Sequence, residues 1–187
     1  MNEIFNQMMS LYRREGADGE RNALYEVMQQ IVLCGLYRGG FFNEAAFYGG
    51  TCLRIFYGLK RYSEDMDFSL LTKNPDFSLE KYFPAIIEEA RLLGRDIVIT
   101  KKNKKNFSRV ESAFLKDNTD VYNLTFATDK TLKIKIEVDI DPPLGFKTEQ
   151  KLLMLPFSFN TRCMVPSDLY AGKMHALVFR QWKNRIK

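Results

Sequence analysis

Residues 48–68 read YGGTCLRIFYGLKRYSEDMDF, and this stretch decides how the chain is expected to fold. A glycine pair, Gly49-Gly50, follows a short apolar run and precedes a threonine, which is typical of a tight turn from a strand into a helix. Two aspartates, Asp65 and Asp67, then alternate with apolar residues and so indicate a strand that carries both carboxylates on one face. The stretch therefore predicts a strand, a turn, a short helix and a second strand.

Alternation and helical periodicity predict further elements on both sides of this stretch. Predicted strands lie at 45–48, 65–71, 96–100, 110–115, 121–127, 132–140 and 151–157. Predicted helices lie at 21–38, 51–59, 78–93 and 167–184. We expect Thr51 and Ser167 to be the N-caps of the second and the last of these helices. This order predicts a mixed α/β (α+β) fold whose sheet is mostly antiparallel and flanked by helices.

The length of 187 residues allows one domain, or one domain with a small appendage. We expect residues 1–165 to form the core and residues 166–187 to begin a C-terminal helical region. The segment from Pro156 to Pro166 is the best candidate for a linker between the sheet and that region.

Composition and charge favour a protein of the reducing cytoplasm. The three cysteines are scattered and form neither a disulfide framework nor a metal cluster. No secretory signal is visible at the start of the sequence, and no apolar run approaches the length of about 18 residues needed to cross a membrane. The net charge of +5 is accounted for by five basic residues, with no acidic ones, between Leu169 and Lys187. This basic segment suits a phosphate-rich partner such as RNA, although a solvated helix face is the alternative.

The paired aspartates are candidates for a metal site. Two carboxylates on one strand face can share two divalent cations that activate an attacking oxygen and bind nucleotide phosphates. Mg²⁺ suits such a site because it needs few protein carboxylates and retains phosphate and water ligands. A third carboxylate is expected from the polar face of strand 132–140, where Glu137 is the first choice and Asp139 the alternate, since alternation cannot choose between them. One of these carboxylates would also be a general base for the acceptor hydroxyl.

The glycine turn is the candidate phosphate site. Backbone N–H groups of Gly49, Gly50 and Thr51 at the start of a helix favour a phosphate, and the Thr51 hydroxyl would add a donor. Each feature alone has a plain structural alternative: an ordinary turn, a solvated strand edge or an exposed sheet face. The order in which they follow one another favours chemistry.

That order resembles the AbiEii/AbiGii-type toxin family of prokaryotic nucleotidyltransferases, within the polymerase-beta-like superfamily. A first group of matching residues carries the glycine turn and the aspartates without a gap. It consists of Gly49, Gly50, Thr51, Leu53, Arg54, Tyr57, Gly58, Leu59, Arg61, Ser63, Glu64, Asp65, Asp67 and Phe68. The later matches are the strand Lys133 to Val138 and the helix residues Ala171, Lys173, Ala176, Leu177 and Arg180. The resemblance spans about residues 22 to 187.

The resemblance implies a site with named roles. The implied metal ligands are Asp65, Asp67 and Glu137, with Asp139 as the alternate, and the implied catalytic residues are Asp65, Asp67, Glu137 and Lys173. The implied nucleotide-binding residues are Gly49, Gly50, Thr51, Arg54, Ser63 and Lys173. Mg²⁺ in a two-metal site is the implied cofactor, and an NTP is the implied substrate.

The resemblance also implies a function. It is transfer of a nucleoside monophosphate from an NTP to a tRNA 3′ end or a protein hydroxyl, in a toxin–antitoxin or phage-defence system with a cognate antitoxin. One alternative is a catalytically weak nucleotide- or RNA-binding module that docks the antitoxin; the retention of Asp65 and Asp67 favours the enzyme. Another is a small-molecule nucleotidyltransferase of the aminoglycoside-modifying kind, which the basic C-terminal segment disfavours. The sequence departs from the family pattern in two ways. Gly172 stands where the family commonly has an acidic residue. The family pattern also continues beyond Lys187, so we expect the sequence to be either a short member or a truncated one.

Overall fold

The computed structural model describes residues 2–13, 15–101, 119–126 and 132–179. The helices are α1 Glu3–Ser10, α2 Gly16–Arg38, α3 Gly49–Tyr57, α4 Phe83–Leu92 and α5 Pro166–Phe179. The strands are β1 Ala45–Tyr48, β2 Asp65–Leu70, β3 Ile97–Lys101, β4 Thr119–Phe126, β5 Leu132–Asp139, β6 Thr148–Leu153 and β7 Phe159–Met164. Short 3-10 turns at Phe41–Asn43 and Leu79–Tyr82 precede β1 and α4.

The strands form one seven-stranded sheet in the order β3-β4-β5-β2-β1-β7-β6. Two neighbouring pairs, β2 with β5 and β1 with β7, are parallel, and the other four pairs are antiparallel. This arrangement confirms the predicted mixed, mostly antiparallel α/β fold. Strand β2, which carries the two aspartates, lies in the centre of the sheet between β1 and β5.

One face of the sheet is closed by an aromatic and aliphatic core. Met66 and Phe68 of β2 are fully buried, and Phe68 stacks on Phe47 of β1 at a ring-centroid distance of 5.0 Å. Phe41 meets Phe68 edge-to-face at the same distance, a favourable geometry for aromatic pairs. Because side chains alternate along a strand, burial of Met66 and Phe68 turns their aspartate neighbours to the opposite face.

Strand β7 corrects the predicted linker between Pro156 and Pro166. Its residues Phe159, Thr161 and Cys163 are buried, and β7 pairs with both β1 and β6. The segment is therefore an internal strand of the sheet. The sequence did not indicate this strand, because its buried positions include a threonine and a cysteine rather than a run of aliphatic residues.

Several element boundaries also differ from expectation. Helix α1 was not predicted, and the helix expected at 78–93 divides into the turn Leu79–Tyr82 and α4. The predicted strand at 151–157 corresponds to β6, which ends at Leu153. Helix α5 begins at Pro166, and the Val165 carbonyl accepts from the N–H groups of the first turn, so Ser167 is not the N-cap. The predicted strand at 110–115 and the end of the last predicted helix lie outside the described residues.

None of the helices in the described ranges is long and apolar enough to span a membrane.

Candidate functional site

The parallel pairing of β2 with β5 brings three carboxylates together. In this register Asp67 lies beside Glu137, while Asp65 lies beside Lys135. Neighbouring strands of a sheet lie about 5 Å apart, so residues that are paired in the register are direct neighbours. Asp65, Asp67 and Glu137 therefore share one sheet face at the start of β2, as the sequence predicted for the first two.

The register also separates Glu137 from its alternate. Asp139 lies two residues beyond Glu137 on β5, where it pairs with Ser69. It is 6% exposed. Its Oδ1 accepts from the backbone N–H of Asp141 at 3.2 Å. The geometry therefore favours Glu137 as the third carboxylate of the cluster and gives Asp139 a role in holding the end of β5.

Asp67 has a strongly raised pKa. Burial, followed by the charges of Glu137 and Asp65, raises the pKa of Asp67 from 3.8 to about 7, although the charges of Lys173 and Lys135 oppose the increase. A carboxylate that is costly to ionise beside two others is a natural place for a divalent cation, which stabilises the charged forms.

Lys135 also belongs to this cluster, although its pattern in the sequence indicates only a polar residue of strand 132–140. Its Nζ lies 2.6 Å from Glu137 Oε1 and 3.5 Å from Asp65 Oδ2. Burial lowers the pKa of Lys135, but the hydrogen bond and charge of Glu137 and the charge of Asp65 outweigh it, so the pKa is raised. Within the described ranges, no three acidic, histidine or cysteine side chains already converge as a metal site, and this ammonium group lies between two of the candidate ligands.

The glycine turn lies directly against the aspartates. Gly49 has a φ of +83°, which favours glycine, and a Cβ at this position would overlap Asp67 Oδ2. A Cβ on Gly50 would lie 2.9 Å from Ser63 Oγ and 3.7 Å from Lys173 Nζ. The turn thus brings the backbone of α3, Ser63 and Lys173 to the edge of the carboxylate cluster.

Lys173 reaches this cleft from α5. The helix packs on α3, and its Lys173 ammonium lies next to Gly50, where a Cβ would be 3.7 Å from Nζ. The charge of Lys173 lowers the pKa of Asp67. The side chain is exposed, so it can contact a ligand entering the cleft. The structure brings Lys173 to the site, and its part in binding nucleotide stays a prediction.

Thr51 has a structural role that the sequence did not predict. It is the third residue of α3 rather than its N-cap, and its fully buried hydroxyl donates to the backbone carbonyl of Asp65. The hydroxyl is thus engaged within the chain, and its contact with a phosphate stays a prediction. It joins the start of α3 to the start of β2 and fixes the position of Asp65.

Gln29 of α2 also positions this segment, and no motif in the sequence indicated it. The side chain is 1% exposed, and its Nε2 donates to the carbonyl of Ser63 at 2.8 Å and to that of Glu64 at 3.4 Å. A buried amide that satisfies two backbone carbonyls fixes the chain just before Asp65. Only the tertiary contact between α2 and this loop reveals the role.

Arg54 was predicted to bind nucleotide, but its contacts are internal. Its Nε lies 2.8 Å from Glu26 Oε2, and its Nη1 donates to the carbonyls of Leu59 and Lys60 at 3.0 and 3.1 Å. The guanidinium also lies over the Tyr62 ring, 4.0 Å from its centroid. The structure therefore gives Arg54 a role in holding the loop between α3 and β2, and its contact with a nucleotide stays a prediction.

We expect replacement of Gly49 by alanine to disrupt the site, because the new Cβ would displace the Asp67 carboxylate and strain the turn. Unfolding in urea should show a loss of about 2 kcal/mol or more, and binding of Mn²⁺ measured by calorimetry should weaken at least about tenfold. Gly58→Ala is the matched control, since Gly58 has a φ of +73° and a Cβ there meets nothing within 4 Å. It should cost about 1 kcal/mol without affecting Mn²⁺ binding. Equal effects of the two substitutions would contradict the proposed contact with Asp67.

Comparison with known proteins identifies a family and two similar folds. A family described as "Nucleotidyl transferase AbiEii toxin, Type IV TA system" matches residues 31–187. No curated protein sequence matches the chain. The fold is similar to that of JHP933 from Helicobacter pylori, with a TM-score of 0.58 and 17% identity over 88% of this chain and 61% of that one. It is also similar to MenT4, a nucleotidyltransferase toxin from Mycobacterium tuberculosis H37Rv, with a TM-score of 0.56 and 18% identity over 91% of this chain and 56% of that one. The chain thus spans about three fifths of the length of these two structures.

Proposed function

The chain belongs to the AbiEii nucleotidyltransferase toxin family, and on that premise we propose that it is an Mg²⁺-dependent enzyme that transfers a nucleoside monophosphate from an NTP to an acceptor hydroxyl. The α-phosphorus would form a bond with the acceptor oxygen, and pyrophosphate would leave. The single observation that carries the proposal is the register of β2 and β5, which brings Asp65, Asp67 and Glu137 together.

The residues present fit a divalent cation. Three carboxylates provide the hard oxygen ligands that Mg²⁺ prefers. Burial, followed by the charges of Glu137 and Asp65, raises the pKa of Asp67, so a cation here would stabilise its ionised form. We propose that Asp65, Asp67 and Glu137 would hold the metal, in a two-metal site to which the nucleotide would add phosphate oxygens. When bound, the metal would supply positive charge to the phosphates of the NTP.

Other residues would position the nucleotide and move a proton. The backbone at Gly49 and Gly50, together with Ser63, lies where a triphosphate could meet N–H and hydroxyl donors. The Lys173 ammonium would bind a phosphate oxygen and stabilise charge as pyrophosphate departs. One carboxylate of the cluster would accept the proton of the attacking hydroxyl.

The proposed acceptor is RNA, with the 3′ hydroxyl of tRNA as the first choice. The first of the basic residues between Leu169 and Lys187 is Lys173 of the site, and the others follow it in sequence. Their positive charge favours a polyanionic acceptor. The alternative acceptor is a protein hydroxyl, and the experiment should be able to detect it.

As the family description names a toxin–antitoxin system, we also propose a cognate antitoxin. Three free, buried cysteines suit a cytoplasmic protein.

The test is incubation of the protein with each α-labelled NTP, Mg²⁺ and either total tRNA or total cell protein. The comparison is with a variant in which Asp65 and Asp67 are both alanine. We expect label in RNA with the wild type, no label with the variant, and loss of the signal after ribonuclease treatment. Label found in protein would identify a protein hydroxyl, rather than RNA, as the acceptor. Binding of NTP without transfer to any acceptor would favour a nucleotide-binding module, and equal labelling by both proteins would refute catalysis at this cluster.

A further inference from the structure

Lys135 occupies an unusual place for a lysine in a cluster built for cations. It lies beside Asp65 on the neighbouring strand and two residues before Glu137 on its own strand. Its ammonium bridges the two carboxylates at 3.5 and 2.6 Å. Two carboxylates that can approach one ammonium this closely can also approach one divalent ion.

We propose that Lys135 is a built-in counter-cation that competes with divalent metal for the space between Asp65 and Glu137. This inference rests on the proposed function for the identity of the metal ligands. In the metal-free protein Lys135 neutralises part of the charge of the three carboxylates. A cation that binds both Asp65 and Glu137 must first displace the ammonium, so Lys135 is a positioning residue that sets the affinity of the site for metal.

Lys173 also lowers the pKa of Asp67 by its charge, but its ammonium does not lie between Asp65 and Glu137. It is placed at the rim, near Gly50, where it faces the position proposed for the phosphates. Lys133 is also different, because it is exposed on the same strand face two residues earlier and pairs with Thr125 rather than with an acidic residue. Lys135 alone among these three lysines forms ion pairs with two of the proposed metal ligands.

The experiment is calorimetric titration of the protein with Mn²⁺ alone, without nucleotide or acceptor. We expect Lys135→Met, which keeps the length of the side chain but removes its charge, to bind Mn²⁺ about tenfold or more tightly than the wild type. Lys135→Arg retains a positive charge and should stay within about threefold of the wild type. Lys133→Met is the matched control, since it removes the same charge about 7 Å along the strand, and it should change the affinity less than about twofold.

Thermal unfolding gives a second measurement if Lys135→Met is too unstable to titrate. Without its counter-cation the metal-free variant should melt below the wild type, and Mn²⁺ should raise its melting temperature by more than it raises that of the wild type. Unchanged or weaker Mn²⁺ binding by Lys135→Met would overturn the proposal, and so would an equal gain in affinity by Lys133→Met. Because neither measurement involves nucleotidyl transfer, failure of the proposed reaction is distinguishable from failure of this inference.

Discussion

Replacement of Asp67 by asparagine is expected to abolish nucleotidyl transfer and, at the same time, to make the metal-free protein more stable at pH 8. The loss of transfer should be about 1,000-fold or more, because the central carboxylate of the cluster disappears while its two neighbours remain. The gain in stability follows from the same position. Asp67 is partly buried between Asp65 and Glu137, so its negative charge opposes folding when no metal is bound.

The pH window of the effect follows from the pKa of Asp67, which is about 7 in the folded protein and near the ordinary 3.8 in the unfolded chain. Between these values the folded state binds more protons than the unfolded state, so the free energy of unfolding falls as pH rises through the window. Below about pH 4 the penalty is absent, and above about pH 7 it is complete. The full penalty would be about 4 kcal/mol, and we expect about 1 to 3 kcal/mol since solvent screens the partly open carboxylate.

Urea unfolding of the wild type and Asp67→Asn at pH 4 and pH 8 would measure this. The variant should be the more stable protein at pH 8, and the difference should disappear at pH 4. Saturating Mg²⁺ should reverse the order at pH 8, because only the wild type retains the central metal ligand. Asp141→Asn is a suitable control, since Asp141 is an aspartate just beyond β5 that forms an ion pair with Lys73. An Asp67→Asn protein that is less stable than the wild type at pH 8 without metal would contradict the electrostatic account.

Local patterns were sufficient to predict the strands at the centre of the site. The alternation of charged and apolar residues in β2 placed Asp65 and Asp67 on one face, and burial of Met66 and Phe68 confirms that assignment. The glycine pair predicted the turn into α3, where a φ of +83° at Gly49 gives the physical reason. These features depend on residues close in sequence, for which side-chain period and backbone sterics are decisive.

Features that depend on tertiary contacts were not predictable in the same way. Alternation placed Lys135 on the polar face of β5, but only the parallel register with β2 sets it beside Asp65. Arg54 matched a nucleotide-binding pattern, whereas its actual partner Glu26 lies on a helix 28 residues earlier. The Thr51 hydroxyl was expected to face a phosphate, and in the structure it donates to the Asp65 carbonyl. In each case a local pattern identified the chemical group, and the packing of separate elements determined its partner.

Replacement of Glu137 by glutamine is expected to reduce transfer by about 100-fold or more, whereas Asp139→Asn should reduce it by less than about tenfold. The two residues share a strand face and a charge, so they are a matched pair. Glu137 lies beside Asp67 in the strand register, contributes to the raised pKa of Asp67, and forms an ion pair with Lys135. Asp139 lies beside Ser69 and is buried, so its substitution should be felt in stability more than in chemistry.

Measuring three quantities on both variants would separate these roles: transfer rate, Mn²⁺ affinity and melting temperature. Glu137→Gln should lose transfer and Mn²⁺ affinity together, because a neutral amide is a weaker ligand for a hard cation than a carboxylate. Asp139→Asn should retain Mn²⁺ affinity and melt at a lower temperature, because the amide weakens the hydrogen bond that the carboxylate accepts from the Asp141 N–H. The opposite pattern would identify Asp139, which lies beside Ser69, as the third metal ligand in place of Glu137. In that event a cation that binds Asp67 and lowers its pKa would have no contact with Glu137. The register makes this difficult, because Glu137 is the direct neighbour of Asp67.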